Sequence, residues 1–483
     1  MPSVHVHGVC DSGGLDDALT MPGCASHVDE PARRTPVAAD VDVAVIGGSC
    51  TGVFAAVRAA RLGLSVALVE QNILFGGMAT AAQVNEWHAL TDTGGKRVVI
   101  GGLTADLLDR LGERGAVRIA ERRHRGLYYL FNSAEMALEL DAFVRETAGV
   151  RPFLRASCVG ALRTGNRIDA ALIEDKCGRR AIRARVYIDA SGDGDLLRRA
   201  GFAARQETTM QPVSYQMVAA GLEEANRALP EGLWGALQRG AAQTGYPLEN
   251  GRPWINAQGA ADNLSNVYGP RLNGVDASNA DELTRALLES RRCLAVLLET
   301  ARHETGKTVA AVSLAHALGV RETWHADCRH RITAGELLHG TAFEDAIAYG
   351  TYPVDVHSPD GTLLRYLDGR QEQINPAGEQ VWSRWLENGE QPALYYQIPY
   401  RTLLPRDAEN LLVAGRLLDA DREAYGGLRV MVNMNQTGEA AGTAAALAVR
   451  AGSTIGEVRP AELRRMLRQK GSVFPEEPAG ANR

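Results

Sequence analysis

The chain has 483 residues, 45% hydrophobic and 23% charged, the balance of an ordinary globular protein. At roughly 100–200 residues per domain, this length predicts two or three domains and excludes a disordered chain, a collagen or a small disulfide-stapled scaffold. Acidic residues (58) slightly outnumber basic ones (52), for a net charge of −6. That balance gives no general reason to bind nucleic acid or an anionic membrane.

In chain order, residues 1–39 mix Gly, Pro, Asp and His and read as a flexible extension ending near Asp40. They lack the basic region and apolar core of a secretory signal. His5 and His7 belong to this tail, and no metal site is predicted. No apolar run approaches the ~18–20 residues of a membrane span. The seven cysteines (Cys10, Cys24, Cys50, Cys158, Cys177, Cys293, Cys328) show neither CxxC nor zinc spacing. Such a scattered, odd set predicts reduced thiols and a cytoplasmic location. The basic residues are almost all arginine, with only Lys96, Lys176, Lys307 and Lys470, which we read as a coding bias.

The first folded element is the most informative. VDVAVI (41–46) reads as a buried parallel strand, GGSCTG (47–52) as a turn, VFAAVRAARLGLS as a helix, and VALVE (66–70) as a second strand ending on an acid. This is the order of a dinucleotide-binding unit. Gly47 permits the tight turn and Gly52 a close helix–strand approach, while N–H groups of Gly48, Ser49, Cys50 and Thr51 at the helix start face a pyrophosphate. Ser49 stands where the usual middle glycine of GxGxxG would be. Cys50 is expected to be a small packing residue beside the phosphates. Glu70 would accept hydrogen bonds from the adenosine ribose.

A second glycine pair in QNILFGGMAT (71–80) follows directly, where a flavin enzyme needs close backbone approach along the ribityl chain. YIDASGDGDLLRRAG (187–201) reads as strand, turn and helix, and 409–452 as a strand ending at Gly415 and a helix of small residues. With FGGMAT, IDASGDGD, LGVRETW, DAIAYGTYPVDVH and YYQIPYRTLLPRDAENLLVAGR in one order, the chain resembles the FAD-dependent oxidoreductase family of the glutathione-reductase-type superfamily, from about Asp42 to Gly452. The resemblance implies FAD and an α/β fold: a discontinuous Rossmann-like FAD-binding domain with an inserted α+β substrate domain. It places Gln71, Gly76, Gly77, Met78, Thr80, Val159, Ser191, Gly192, Asp193, Gly415, Arg416, Asn433 and Gly438 at the cofactor. It divides the chain into 40–215 plus 395–455 for FAD, 216–394 facing the substrate, and 456–483 as a helix and tail. The stretch 150–188 is expected to be a small β-meander, with PFLRASCV its first strand, and 281–304 a long amphipathic helix.

No second GxGxxG unit occurs in 84–410, so electrons are expected to enter from the organic substrate, not from NAD(P)H at a fixed site. The absent CxxC excludes dithiol relay chemistry. Hydride transfer to flavin N5 needs no protein nucleophile, only orientation, a proton acceptor and charge stabilisation. His88 in NEWHAL and His357 in YPVDVH are candidate proton acceptors. Arg321 in GVRET is a candidate for binding a carboxylate or anionic intermediate, and Arg429, just before the last long helix, for stabilising the reduced ring. Asp193 and Asp195 are read as a capped helix start. The expected function is two-electron oxidation of a small molecule, with the electron acceptor (oxygen or a redox partner) open. Two alternatives stand beside it: a flavin monooxygenase or NAD(P)H-fed reductase, and a non-catalytic flavin-binding subunit.

Overall fold

The computed structural model describes residues 33–122, 126–376 and 378–475. Residues 1–32 and 476–483 lie outside it, and with them the expectations for His5, His7, Cys10, Cys24 and the end of the tail. Val37–Ile46 is the centre of a parallel sheet, its last four residues buried on both faces as their apolar run demands. Val66–Glu70 pairs with it on one side and Gly178–Asp189 on the other. Val150–Leu154 and Leu411–Val413 extend the sheet outward, both parallel. The result is a mixed α/β, Rossmann-like architecture. The first strand begins at Val37 instead of near Asp40, because residues 37–40 continue the ladder against Ala181–Arg183.

The long strand Gly178–Asp189 serves two structures. Its start pairs antiparallel with Arg167–Asp175, which pairs with Ser157–Thr164 to complete a meander. PFLRASCV is therefore not one strand. The chain breaks at Arg155, whose φ of 55° is left-handed, so Val150–Leu154 joins the parallel sheet and only Ser157–Thr164 joins the meander.

Two helices cover one face of the sheet. Cys50–Arg61 packs against Met431–Ala451, and the contact is close because Gly438 and Gly442 lie directly on the carbonyl oxygens of Thr51 and Ala55. A Cβ at either glycine would fall well inside contact distance of those oxygens.

Between the sheet's last strands, a four-stranded antiparallel sheet (Trp254–Gln258, Ala261–Leu272, Val213–Ala220, Ala310–Leu314) carries the helix Ala280–Thr305. That helix is amphipathic as its sequence predicts, burying Ala286, Ser290, Cys293, Leu294, Leu297 and Ala301, and Asn279 caps its start. Val213–Ala220 runs across the 215/216 division expected from the sequence. A second antiparallel sheet is formed by Val354–Ser358, Gly361–Arg365, Arg370–Ile374 and Gln380–Arg384. Among the described residues no helix is long and apolar enough to cross a membrane.

Candidate functional site

Strands Val37–Ile46, Val66–Glu70, Gly178–Asp189 and Leu411–Val413 run parallel and in register, so the turns that follow them gather along one sheet edge. Gly76 N–H donates to Gly48 O (2.8 Å), and Ala414 N–H to Asp189 O (2.9 Å). Gly47, at φ 100°, lies so close to Ala190 that a Cβ would reach the Ala190 carbonyl carbon at 2.5 Å. These turns enclose a cavity. Its lining includes Gly47, Ser49, Cys50, Thr51, Glu70, Gln71, Gly76, Gly77 and Met78, with Ser191, Gly192, Asp193, Gly415 and Arg416 from the later turns.

Other expected residues shape this cavity without lining it. Gly48 donates its N–H to Glu70 Oε2 at 2.7 Å, and Gly52 packs on Gly47 O. Thr80 turns back to hydrogen-bond Phe75 O. Gly438 packs on Thr51, and Asn433 donates to Tyr396 Oη (2.8 Å) and Gly427 O (3.1 Å), away from the cavity. Val159, whose backbone is expected beside adenine, does not line this cavity with its side chain. A register shift between Cys158 and Gly160 leaves that side chain on the outer side, and Ala156, Ser157 and Cys158 stand in the wall.

Ser49 replaces the expected glycine without strain. Its φ of −60° is open to any residue, and its hydroxyl accepts from Gly52 N–H (3.4 Å) as the helix cap. The Cys50 thiol is pushed up to about 12 by burial, so it is a packed, protonated side chain. Glu70 Oε1 accepts from Asn72 N–H and Nδ2–H (both 2.7 Å), and burial nonetheless raises its carboxyl above the ordinary range. The helix Asp195–Arg199 is capped from outside. Asp189 accepts from Leu196 and Leu197 N–H (2.9 and 2.8 Å) and Ser191 Oγ from Asp195 N–H (3.0 Å), while Asp193 instead pairs with Arg416 (3.1 Å).

A second cavity opens from the first. The two share Met78, Val320, Arg416, Arg429 and Met431. All four residues singled out for chemistry, His88, Arg321, His357 and Arg429, line it, although they are spread over 341 positions of sequence between His88 and Arg429. Asp355 organises the group. Its carboxylate accepts from Tyr352 Oη–H (2.8 Å) and Arg429 Nη2 (3.2 Å) and lies 3.3 Å from His357 Nε2. Buried among His357, Arg429 and Tyr352, Asp355 is held well below the usual carboxylate range despite the cost of burial.

His357 Nδ1 faces Thr362 Oγ1 (2.9 Å) and Arg271 Nη1 (3.4 Å). Burial lowers His357 to about 3, with Arg271 and Arg321 adding to the shift and Asp355 opposing it. The imidazole is thus neutral near pH 7. Because an ionised Asp355 can only accept, Nε2 carries the proton and Nδ1 keeps its lone pair. His88 is placed differently: it stacks on Tyr352 (4.7 Å, 29°) and lies 4.9 Å from Tyr128, in an aromatic wall. Its role as a proton acceptor gains nothing from this packing.

Sequence reasoning missed Arg271, Tyr352, Asp355 and Thr362 in the second cavity, and Asn72, Ser157, Cys158, Met431, Met434 and Asn435 in the first. Asp355 was within reach. It stands two residues before His357 on the strand Val354–Ser358, and alternation puts both on one face. Arg271 carried no signal, because it arrives on a distant strand, Ala261–Leu272.

A profile of the family described as FAD dependent oxidoreductase matches residues 42–467. The chain belongs to that family. Its cofactor is FAD. Among solved structures it is similar to a geranylgeranyl bacteriochlorophyll reductase-like protein from Thermoplasma acidophilum, at 12% identity, covering 90% of this chain and 84% of that one, with a TM-score of 0.44. It is also similar to the flavin-dependent brominase Bmp2 (13%, 89% and 84%, TM-score 0.42). A third is p-nitrophenol 4-monooxygenase PnpA from Pseudomonas putida (11%, 89% and 84%, TM-score 0.40). No curated protein gives a significant match. The residues of the first cavity fit FAD. Its glycine turns leave no room for side chains, and Asn435 Oδ1 is buried in its wall without a hydrogen-bond partner among the described residues. The helix Met431–Ala451 also begins at Val430 with no side-chain cap, leaving N–H donors for a ligand.

Proposed function

We propose that the protein is an FAD enzyme, of glutathione-reductase type with an inserted substrate-facing region, that oxidises a small organic molecule by two electrons. FAD would lie in the first cavity and substrate in the second. The observation that carries this reading is the shared wall of the two cavities, beside which His357 stands neutral with its Nδ1 lone pair facing the Thr362 hydroxyl and Arg271. Bound FAD supplies the two-electron acceptor.

The chain's residues do the rest. Gly47, Gly76 and Gly77 would hold the cofactor by backbone, the N-terminus of Cys50–Arg61 would bind its phosphates, and Glu70 would bind its ribose. His357 Nδ1 takes a proton from the substrate as Thr362 Oγ1 gives way, and Asp355 holds Nε2–H and stabilises the imidazolium that forms. Arg429 and the start of Met431–Ala451 would place positive charge beside the bound flavin. Dioxygen or a redox partner would reoxidise the cofactor.

The test is anaerobic mixing of the FAD-loaded protein with a panel of metabolites, following flavin absorbance near ~450 nm. Bleaching by a substrate alone supports the proposal. Bleaching that requires NAD(P)H, with any substrate, replaces it by the monooxygenase or reductase reading.

A further inference from the structure

The second cavity carries more positive charge than its protein neighbours balance. Arg429 is paired with Asp355 (3.2 Å) and Arg416 with Asp193 (3.1 Å). Arg271 and Arg321 have no carboxylate within ion-pair distance among the described residues. Two other acids reach the lining, but Glu86 is engaged by Asn256 Nδ2 (3.1 Å) and Glu249 is exposed at the rim. Two guanidinium groups lining one cavity repel each other, and partial burial raises that cost. Burial, with Arg271 and Arg429 adding to it and Asp355 opposing, lowers Arg321 to about 9, which still leaves it charged near pH 7, and burial lowers Arg271 as well.

Their donors are also unspent. Arg321 uses only Nη1, on Pro212 O (2.7 Å) and Ser214 Oγ (3.4 Å), which fixes the side chain and leaves Nε and Nη2 without partners among the described residues. Arg271 Cζ lies over the Trp254 ring, 4.5 Å from its centroid, and among the described residues only its Nη1 has a hydrogen-bonding contact, at 3.4 Å from His357 Nδ1. Stacking on a ring leaves the in-plane N–H groups of a guanidinium available, and that fork matches a carboxylate. Several other arginine nitrogens, such as Arg429 Nε, are sealed in protein, whereas those of Arg271 and Arg321 open on the cavity.

We propose that the molecule bound in the second cavity is an organic anion whose carboxylate is held by Arg271 and Arg321. This deepens the function proposed above and rests on its assignment of that cavity to substrate. Arg271 touches His357, so the carboxylate sits beside the proton acceptor, and the bond to be oxidised lies a few atoms from the carboxylate carbon.

The experiment titrates oxidised, FAD-loaded full-length protein with benzoate, succinate, glutarate and pyruvate, each beside its amide. Binding is read as a perturbation of the flavin spectrum and as a rise in melting temperature, neither of which requires turnover. At least one carboxylate is expected to bind tenfold or more tightly than its amide. Arg271→Gln and Arg321→Gln are each expected to weaken it tenfold or more at unchanged flavin content, with partial recovery in Arg321→Lys. Equal binding of acid and amide, silence of every carboxylate, or glutamine variants that bind as wild type would overturn the proposal. The acid–amide contrast in the wild type holds whether or not a variant folds. Carboxylate binding without bleaching by any compound keeps this inference and removes the oxidation reading. Bleaching by an uncharged compound that no carboxylate competes with does the reverse.

Discussion

The two cavities are built on opposite plans. The first is made mostly of backbone: glycine turns at the ends of parallel strands, two helix N-termini, and acids such as Asp193 and Glu70 already engaged by Arg416, Gly48 and Asn72. The second is made of side chains, Arg271, Arg321, Asp355, His357 and Arg429, brought from separate segments and leaving charge uncompensated. A backbone cavity is specific by shape and intolerant of an added methyl. A side-chain cavity is specific by charge and tolerates isosteric change while losing its chemistry.

If that contrast holds, substitutions in the two should fail differently. The largest effect is expected from His357→Gln, which should slow substrate-driven flavin reduction by about 10²–10⁴-fold in anaerobic stopped flow. Flavin content should not change. Gly52→Val should do the opposite. With its Cβ driven into Gly47 O, the variant should retain little FAD after gel filtration and lose about 3 kcal/mol in urea unfolding. Retention of FAD by Gly52→Val would break the comparison outright.

Stability should also depend on pH through the second cavity. His357 has a folded pKa near 3, below its ordinary 6.5, so the unfolded chain binds the extra proton between these values. Stability then rises with pH across that window and is lost as pH falls, by about 1.4 kcal/mol per pH unit for one proton. Asp355, also depressed, acts in the same direction at the acid end. Urea midpoints measured from pH 4 to 6.5 should show this slope, and His357→Gln should flatten it. The smallest effect is expected at Val159, where Val159→Ala should leave FAD affinity within about twofold, since the side chain faces outward. A large loss there would put the Val159 side chain itself in contact with the cofactor.

Legibility followed the same division. Gly47, Glu70, Gly76, Gly192 and Gly415 were found because each lies in a short run whose local pattern of strand, turn and helix already states its task. What local pattern did not give in that region was register: a bulge turns the Val159 side chain outward, and a left-handed Arg155 splits one expected strand into two. In the second cavity His357 and Arg321 were found through motifs. Their partners, Arg271 above all, were hidden, because a lone arginine on a strand looks the same whether it meets solvent or a histidine.

The sequence by itself determined the parallel α/β core, the FAD cofactor and the glycine turns that line the first cavity, since these depend on glycine, strand period and helix starts within some thirty residues of one another. Only the tertiary structure decided that Asp355 stands beside His357, that burial lowers His357, and that Arg271 and Arg321 line one cavity without an ion-pair partner among the described residues. Charge and proton affinity depend on which groups lie within a few ångströms in space, and that proximity is set when remote strands pack, not by their order along the chain.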